Sequence, residues 1–224
     1  MTKNKIMLLS TAIEDYLKAI WLVAQDASAS TNDLALQLKI SAPSVSGMLA
    51  KLQDQGLVHY EPYRGVSLTE KGRQEALHLL RRHRLVETFL LENLDYSWEE
   101  VHEEAESLEH AVSDTFTERL DVFLGYPSHD PHGDPIPNRE GELPDTPNTP
   151  LAEISIGETL KVARLMSQEK DVLTYLKSLS IKPGKELHLF KREPFGGLVH
   201  VAINDKETVL SKELATLIRG EVIH

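Results

Sequence analysis

Between Trp98 and Leu124 the chain reads WEEVHEEAESLEHAVSDTFTERLDVFL, and this stretch leaves few options for how its surroundings can fold. It reads as two helical segments. Ser97 is a good N-cap, and Glu100 at the third helical position completes a capping box. Val101, Ala105, Leu108 and Val112 recur at i, i+4, i+7 and i+11, which makes one apolar stripe. His102, Glu106, Glu109 and His110 recur at i, i+4, i+7 and i+8. At about 100° per residue they form a second stripe, about 90° around from the first. Any one of these four is unremarkable on an acidic, solvated helix face. Together they place two imidazoles and two carboxylates in a row at the edge of a buried face, a borderline-hard donor set suited to Mn, Fe, Co, Ni or Zn.

Charge singles out the same region. The net charge of −11 is concentrated in residues 77–150, which carry 5 Lys+Arg against 17 Asp+Glu, whereas residues 1–76 carry 8 of each. Dense like charge destabilises a compact state unless something neutralises it, and a bound divalent cation would do so. With 224 residues and 41% hydrophobic content the chain can form two or three small domains with real cores. No run of about 18 uninterrupted apolar residues occurs, so no membrane span is expected. The opening MTKNKIMLLSTAIEDYL has too short an apolar run for a convincing signal peptide. There is no cysteine, which excludes disulfides and thiolate zinc sites and makes a reducing cytoplasm the expected compartment.

The first third reads as three helices and a hairpin. Ile13, Leu17, Ile20, Trp21 and Ala24 give one apolar face over Thr11 to Gln25. A short helix over 31–39 turns inward on Leu34, Ala35 and Leu38, and Lys39-Ile40-Ser41 forms a turn. Ser41 caps a third helix over 42–52, with Pro43 in its first turn where a missing N–H costs nothing. Two short strands, 57–60 and 66–69, flank Glu61-Pro62-Tyr63-Arg64-Gly65. This is the pattern of a winged helix-turn-helix, whose third helix enters the major groove of duplex DNA by its N-terminal residues. Ser41, Ala42, Pro43, Ser44 and Ser46 are small enough for close approach but offer no bidentate base contact. Lys51 and Arg64 are the expected phosphate contacts. A small helical protein-interaction domain is the alternative for this segment.

Thr69 caps a long helix over 70–91, on which His83 and Glu87 share a face at i, i+4, as any helix-surface pair would. The apolar positions continuing through Leu120, Phe123 and Leu124 suit a dimer interface. Residues 125–150 hold seven of the eleven prolines and read as an irregular connector. Within it, His129-Asp130-Pro131-His132-Gly133-Asp134 could supply metal ligands, though by its residues alone a polar turn is the simpler reading. Strands are expected at 159–165, 186–190, 198–203 and 208–211, with a single helix over 169–179, as in a five-stranded SH3-like barrel. The expected fold is therefore mainly α with small β parts. A winged helix-turn-helix (1–76) precedes a helical metal-binding and dimerisation domain (77–145) and a C-terminal SH3-like domain (151–224).

T-A-I-E-D-Y-L near the start, R-R-H-R-L-V-E in the long helix, V-H-E-E-A-E-S-L-E-H-A-V-S-D and D-P-H-G-D-P-I-P together resemble the diphtheria toxin repressor family of metal-dependent transcriptional regulators. The likeness covers nearly the whole chain and is greatest to the family's manganese-responsive, three-domain branch. It implies a primary regulatory site at Asp15, His83, Glu106, Glu109 and His110; Asp15 enters only by this route, because periodicity puts it opposite the apolar face. Iron-responsive members carry a Met and a Cys at the positions of Asp15 and Glu106, and carboxylates there suit Mn²⁺, with Fe²⁺, Co²⁺ or Zn²⁺ able to substitute. A two-domain manganese member has a Glu at the position of Lys18, so a second manganese in that pocket is not implied. The resemblance further implies an ancillary site at Glu87 and His102 with a group from the last domain, Glu169 or its neighbours Gln168 or Asp171. It also adds His132 and Asp130, the latter where a related branch has a Cys.

The implied function is that of a homodimer which binds operator DNA when metal joins the elements bearing its ligands, and which represses metal-uptake genes without being an enzyme. Two rivals stand beside it. His/carboxylate clusters on helices also build di-metal catalytic sites, though no obvious nucleophile accompanies this one. A metal-independent winged-helix regulator, whose acidic middle domain only dimerises, is the other.

Overall fold

The computed structural model describes residues 9–24, 27–98, 100–204 and 206–223. Side-chain caps start its N-terminal helices. Helix α1 (Thr11–Ala24) turns Ile13, Leu17 and Ile20 inward. Helix α2 (Thr31–Gln37) begins at Ser30, whose hydroxyl accepts from the Asp33 N–H at 3.1 Å. Helix α3 (Ala42–Asp54) begins at Ser41 in the same way, with the Ser44 N–H at 3.4 Å. Strands β1 (Val58–Glu61) and β2 (Gly65–Leu68) pair antiparallel, Val58 opposite Leu68 and Glu61 opposite Gly65. Leu17, Leu34, Val45, Leu49, Leu52, Leu57 and Val66 are fully buried in one core, so the expected winged helix-turn-helix is present.

Helix α4 (Glu70–Asn93) is fixed at its start by Thr69. The Thr69 hydroxyl accepts from the Gly72 N–H at 3.1 Å and donates to the Gly56 carbonyl at 2.8 Å. Gly72 is required here by contact: a Cβ would lie 2.0 Å from the Leu57 carbonyl oxygen, a backbone atom that cannot swing aside. Gly72→Ala is therefore expected to lower stability by about 1–3 kcal/mol. A fall of several degrees in Tm on thermal melting by circular dichroism would register it. An unchanged Tm would mean that α4 can shift away from the hairpin at no cost.

Among the described residues the chain divides into two compact units. One comprises residues up to Arg82 with Pro137–Gly141, the other His83–Ile136 with everything from Glu142 onward, so α4 contributes to both. In the second unit, α5 spans Val101–Leu108 and α6 Asp114–Phe123, the latter capped by Ser113, which accepts from the Phe116 N–H. The capping box expected at Ser97 is only half formed. Glu100 accepts from the Ser97 N–H at 3.0 Å, but the Ser97 hydroxyl donates to the same carboxylate at 2.5 Å instead of accepting from the helix. Trp98 and Glu100 lie in turn geometry, and α5 starts at Val101. Val101 and Ala105 join Leu85, Val86, Leu90, Leu120 and Ile136 in a helical core, while Val112 lies beyond the end of α5.

The rest of this unit is an antiparallel sheet. Its strands are β3 (Thr149–Pro150), β4 (Thr159–Leu165), β5 (Glu186–Arg192), β6 (Val199–Ile203), β7 (Lys206–Leu210) and β8 (Ile218–Ile223), in the order β3-β8-β4-β5-β6-β7. Helix α7 (Lys170–Ser178) follows β4, and α8 (Lys212–Leu217) precedes β8. The sequence reading has neither α8 nor β8. Their shortness and Gly220 inside β8 hide them; a Cβ on Gly220 would meet the Lys161 carbonyl oxygen at 2.1 Å. Among the described residues no helix is long and apolar enough to cross a membrane.

Candidate metal centre

The second half of α4 and the acidic α5 bring their polar rows together. His83 and Glu87 sit one turn apart on α4; His102 and Glu106 sit one turn apart on α5. Helix α5 ends at Leu108, two residues short of the end of the expected stripe at His110. Glu109 nevertheless keeps helical backbone angles (φ −56°, ψ −31°), so its side chain continues the row, and His110 follows in a turn.

His83 is the junction. It is 2% exposed, and Glu87 and Glu109 are 0% exposed. Its Nδ1 lies 2.5 Å from Glu109 Oε2 and 3.9 Å from Glu106 Oε1. Its Nε2 lies 3.0 Å from Glu87 Oε1 and 3.1 Å from His102 Nδ1. His102 in turn contacts Glu87 at 3.2 Å and Glu106 at 3.7 Å, and His110 Nε2 lies 3.4 Å from Glu109. One donor atom each from His83, His102 and Glu106 falls within 4.8 Å of the others, the spacing that a single cation can bridge. The resemblance divides these residues between a primary and an ancillary site; the structure joins them through one imidazole.

A second convergence in this unit is wholly buried. Donor atoms of Glu87, Asp130 and His132 also lie within 4.8 Å of one another. The connector segment carrying Asp130 and His132 is not a solvated polar turn. Asp130 Oδ1 accepts from the backbone N–H groups of His132 and Asp134, at 2.9 Å each, which folds the segment on itself. Arg84 donates to the Pro135 carbonyl, and Arg164 pairs with Asp134. Trp98 stacks on His132 with centroids 4.9 Å apart and donates its indole N–H to the Pro131 carbonyl at 3.1 Å.

The residues here suit a cation. Glu87 Oε2 and Asp130 Oδ2 are buried without a hydrogen-bond partner; Arg84 Nε, at 3.8 Å, is an ion-pair neighbour of the latter. His132 Nε2 lies 3.2 Å from the Trp98 carbonyl, a contact in which only the ring nitrogen can donate, so Nδ1 is the ring nitrogen left to ligate a cation. Orphaned buried oxygens carry a large desolvation penalty, which a bound cation would remove. Electrostatics divides the two acids. Burial alone would raise the Glu87 carboxyl, but the charge of His83 and hydrogen bonds from His102 and His83 outweigh it and hold it well below the usual carboxylate range. Burial, then the charges of Asp134 and Glu87, push Asp130 well above that range despite Arg84. A cation bound between these two acids would favour the charged form of both.

The remaining candidates are carried by other elements. Asp15 is half-buried on α1, in the other compact unit. Glu169 stands exposed immediately before α7 and belongs to neither convergence just described. His129 is engaged by Ser128 and Thr146, at 2.9 and 2.8 Å. In the winged helix, Ser41, Pro43, Ser44 and Lys51 are exposed on α3 and its cap, while Ala42 and Ser46 are half-buried. The Ser46 hydroxyl donates to the Ala42 carbonyl at 3.2 Å, so it serves its own helix rather than standing free to read bases. Arg64 is exposed on the wing and pairs with Glu61 at 3.0 Å. Sequence reasoning had no signal for Arg84, Arg164 and Trp98 as the groups that bury the connector.

Three family models match in succession: "Iron dependent repressor, N-terminal DNA binding domain" over residues 8–66, "Iron dependent repressor, metal binding and dimerisation domain" over 69–138, and "FeoA domain" over 149–222. The iron-dependent repressor IdeR of Mycobacterium tuberculosis is 30% identical over 94% of this chain and 96% of its own length. Among solved structures, a manganese-dependent transcriptional repressor in complex with manganese is 41% identical, covering 94% of this chain and 100% of that one, with a TM-score of 0.88. The manganese regulator SloR is 38% identical over 94% and 98%, with a TM-score of 0.80. With all three segments matched in order and the likeness running from end to end of such relatives, the chain belongs to the diphtheria toxin repressor family of metal-dependent transcriptional regulators.

Proposed function

We propose that this regulator is a manganese-responsive repressor. It binds operator DNA as a homodimer when Mn²⁺ occupies a primary site made by Asp15, His83, Glu106, Glu109 and His110, and it represses metal-uptake genes in the cytoplasm. Residues 1–76 hold DNA, 77–145 hold metal and the partner subunit, and 151–224 form the SH3-like part. The observation that carries this reading is the donor set: imidazoles and carboxylates gathered around buried His83, with no sulfur among them. Such donors suit Mn²⁺, and Fe²⁺, Co²⁺ and Zn²⁺ accept them too. Relatives named for manganese and for iron point the same way. Glu87, His102, Asp130 and His132, with Glu169 or a neighbour, make the ancillary site. The bound cation supplies charge neutralisation, and the chain's own part is to hold carboxylates from α1 and α5 beside an α4 imidazole. The protein acts by binding rather than by catalysis. Its dimer contact is the outer face of α6, where Phe116, Val122 and Phe123 are exposed.

The test is fluorescence anisotropy on duplex DNA at fixed salt, in EDTA and then through a Mn²⁺ titration, since phosphate contacts make affinity salt-dependent. Wild-type binding is expected to tighten about 10- to 100-fold with Mn²⁺, and Glu106→Ala to lose most of that gain. Equal binding in EDTA and Mn²⁺ would reduce the cluster to a structural role.

A further inference from the structure

We propose that Tyr63 is a DNA-reading residue, its ring laid in the minor groove beside the half-site that α3 occupies. This rests on the DNA-binding reading above and goes beyond it in naming a contact and its chemistry.

Four observations converge on the tip of the β1–β2 hairpin. The Tyr63 side chain is 107% exposed, so nothing in the fold makes use of its ring. Its φ is +68°, in a turn closed by the Arg64 N–H donating to the Glu61 carbonyl at 3.0 Å, with Pro62 just before. Proline followed by a left-handed residue marks a type II turn, where glycine or asparagine is the comfortable occupant. A bulky aromatic held left-handed and bare is the kind of outlier that points to function. The tip's charges also cancel. Arg64 and Glu61 pair at 3.0 Å with side chains 82% and 67% exposed, so the tip is no free phosphate clamp and the phenol is its distinctive group. Finally, the hairpin is tied to α3. The Tyr60 N–H donates to Gln53 Oε1 of that helix at 2.7 Å, and Val66 exchanges two backbone hydrogen bonds with Ala29, each 2.9 Å. Wherever α3 seats, the ring is carried with it.

The chemistry of the ligand follows. The floor of the minor groove at A·T pairs presents only the acceptors adenine N3 and thymine O2, whereas G·C adds an amino donor. A phenol O–H complements the former, and the ring's flat faces fit between the deoxyribose walls. The favoured partner is an A·T-rich minor groove flanking the half-site. Because the contact is uncharged, it adds affinity without displacing counterions.

The experiment uses the full-length, Mn²⁺-loaded protein and a duplex that the wild type selects from a random-sequence library. Kd is measured across a salt series for wild type, Tyr63→Gly, Tyr63→Phe and Lys51→Ala, with thermal melting of each. Tyr63→Gly is expected to bind about 10-fold more weakly with an unchanged salt slope. It should also lose the preference for A·T over G·C in the flank, and Tyr63→Phe should fall between. Its Tm is expected to stay within a few degrees of wild type, because glycine suits a positive φ while adding freedom to the unfolded chain. Lys51→Ala should instead reduce the salt slope by about one. A Tyr63→Gly Kd within two-fold of wild type would overturn the proposal and leave DNA binding intact. Weaker binding with a reduced salt slope and no flank dependence would overturn it in favour of a phosphate contact. If the wild type selects no duplex, the DNA-binding reading falls and this proposal with it.

Discussion

Replacing His83 with alanine is expected to abolish the metal response: DNA affinity in saturating Mn²⁺ should drop to its EDTA value, a loss of about 100-fold. His83 belongs to the first convergence and touches Glu87 of the second, with Glu109 at 2.5 Å on one ring nitrogen and Glu87 at 3.0 Å on the other. Removing it takes away a donor and leaves the buried carboxylates of Glu87 and Glu109 with one imidazole neighbour fewer, His102 and His110 remaining. Losing a hydrogen-bond partner from a buried group costs about 1–3 kcal/mol, so the metal-free protein should also melt lower. His83→Gln separates the two effects, since it keeps much of the volume and a hydrogen-bonding group but lacks the basic ring nitrogen. Isothermal titration with Mn²⁺ and anisotropy on duplex DNA are the measurements. A folded His83→Gln protein that still tightens on DNA with Mn²⁺ would place the switch elsewhere.

Val122→Glu should have an effect of similar size by a different route. Phe116, Val122 and Phe123 are 47%, 58% and 65% exposed on α6, although the Phe123 ring also meets the Phe89 ring edge-on at 5.9 Å. Because Val122 is exposed, the substitution should leave the protomer's own folding nearly untouched, yet it would bury an unpaired carboxylate in any interface formed there. Sedimentation equilibrium is expected to read a dimer for the wild type and a monomer for the variant. Losing the link between two recognition helices should weaken operator binding by about 100-fold or more. A Val122→Glu protein that remains dimeric would move the contact to another face.

Local signals carried most of the fold. Ser41 before Pro43, Thr69 before a long apolar period, and the Leu57-to-Leu68 hairpin pattern are each contained within a few residues, and each stands in the structure as the pattern predicts. The α5 row was legible because helical geometry projects His102 and Glu106 onto one line. The pattern failed where a tertiary partner decides. Asp130 and His132 read as a polar turn because the groups that bury their segment are distant in sequence, Arg84 46 residues from Asp130, Trp98 34 from His132 and Arg164 30 from Asp134, separations that no period can register. Ser97 reads as a cap, but its hydroxyl has a rival acceptor in Glu100, and the carboxylate wins. That Glu87 would stand between two convergences was equally hidden, since its i, i+4 spacing from His83 is shared by any ordinary helix pair.

The donors around His83, like those around Asp130, are imidazole nitrogens and carboxylate oxygens, and the chain has no cysteine at all. A thiolate at the position of Glu106 would be open to sulfenic acid formation by peroxide, which removes a ligand without any change in metal supply. Glutamate has no such chemistry. A regulator built on these side chains keeps its capacity for metal through a burst of peroxide, and so reports how much metal is present rather than how oxidised its surroundings are.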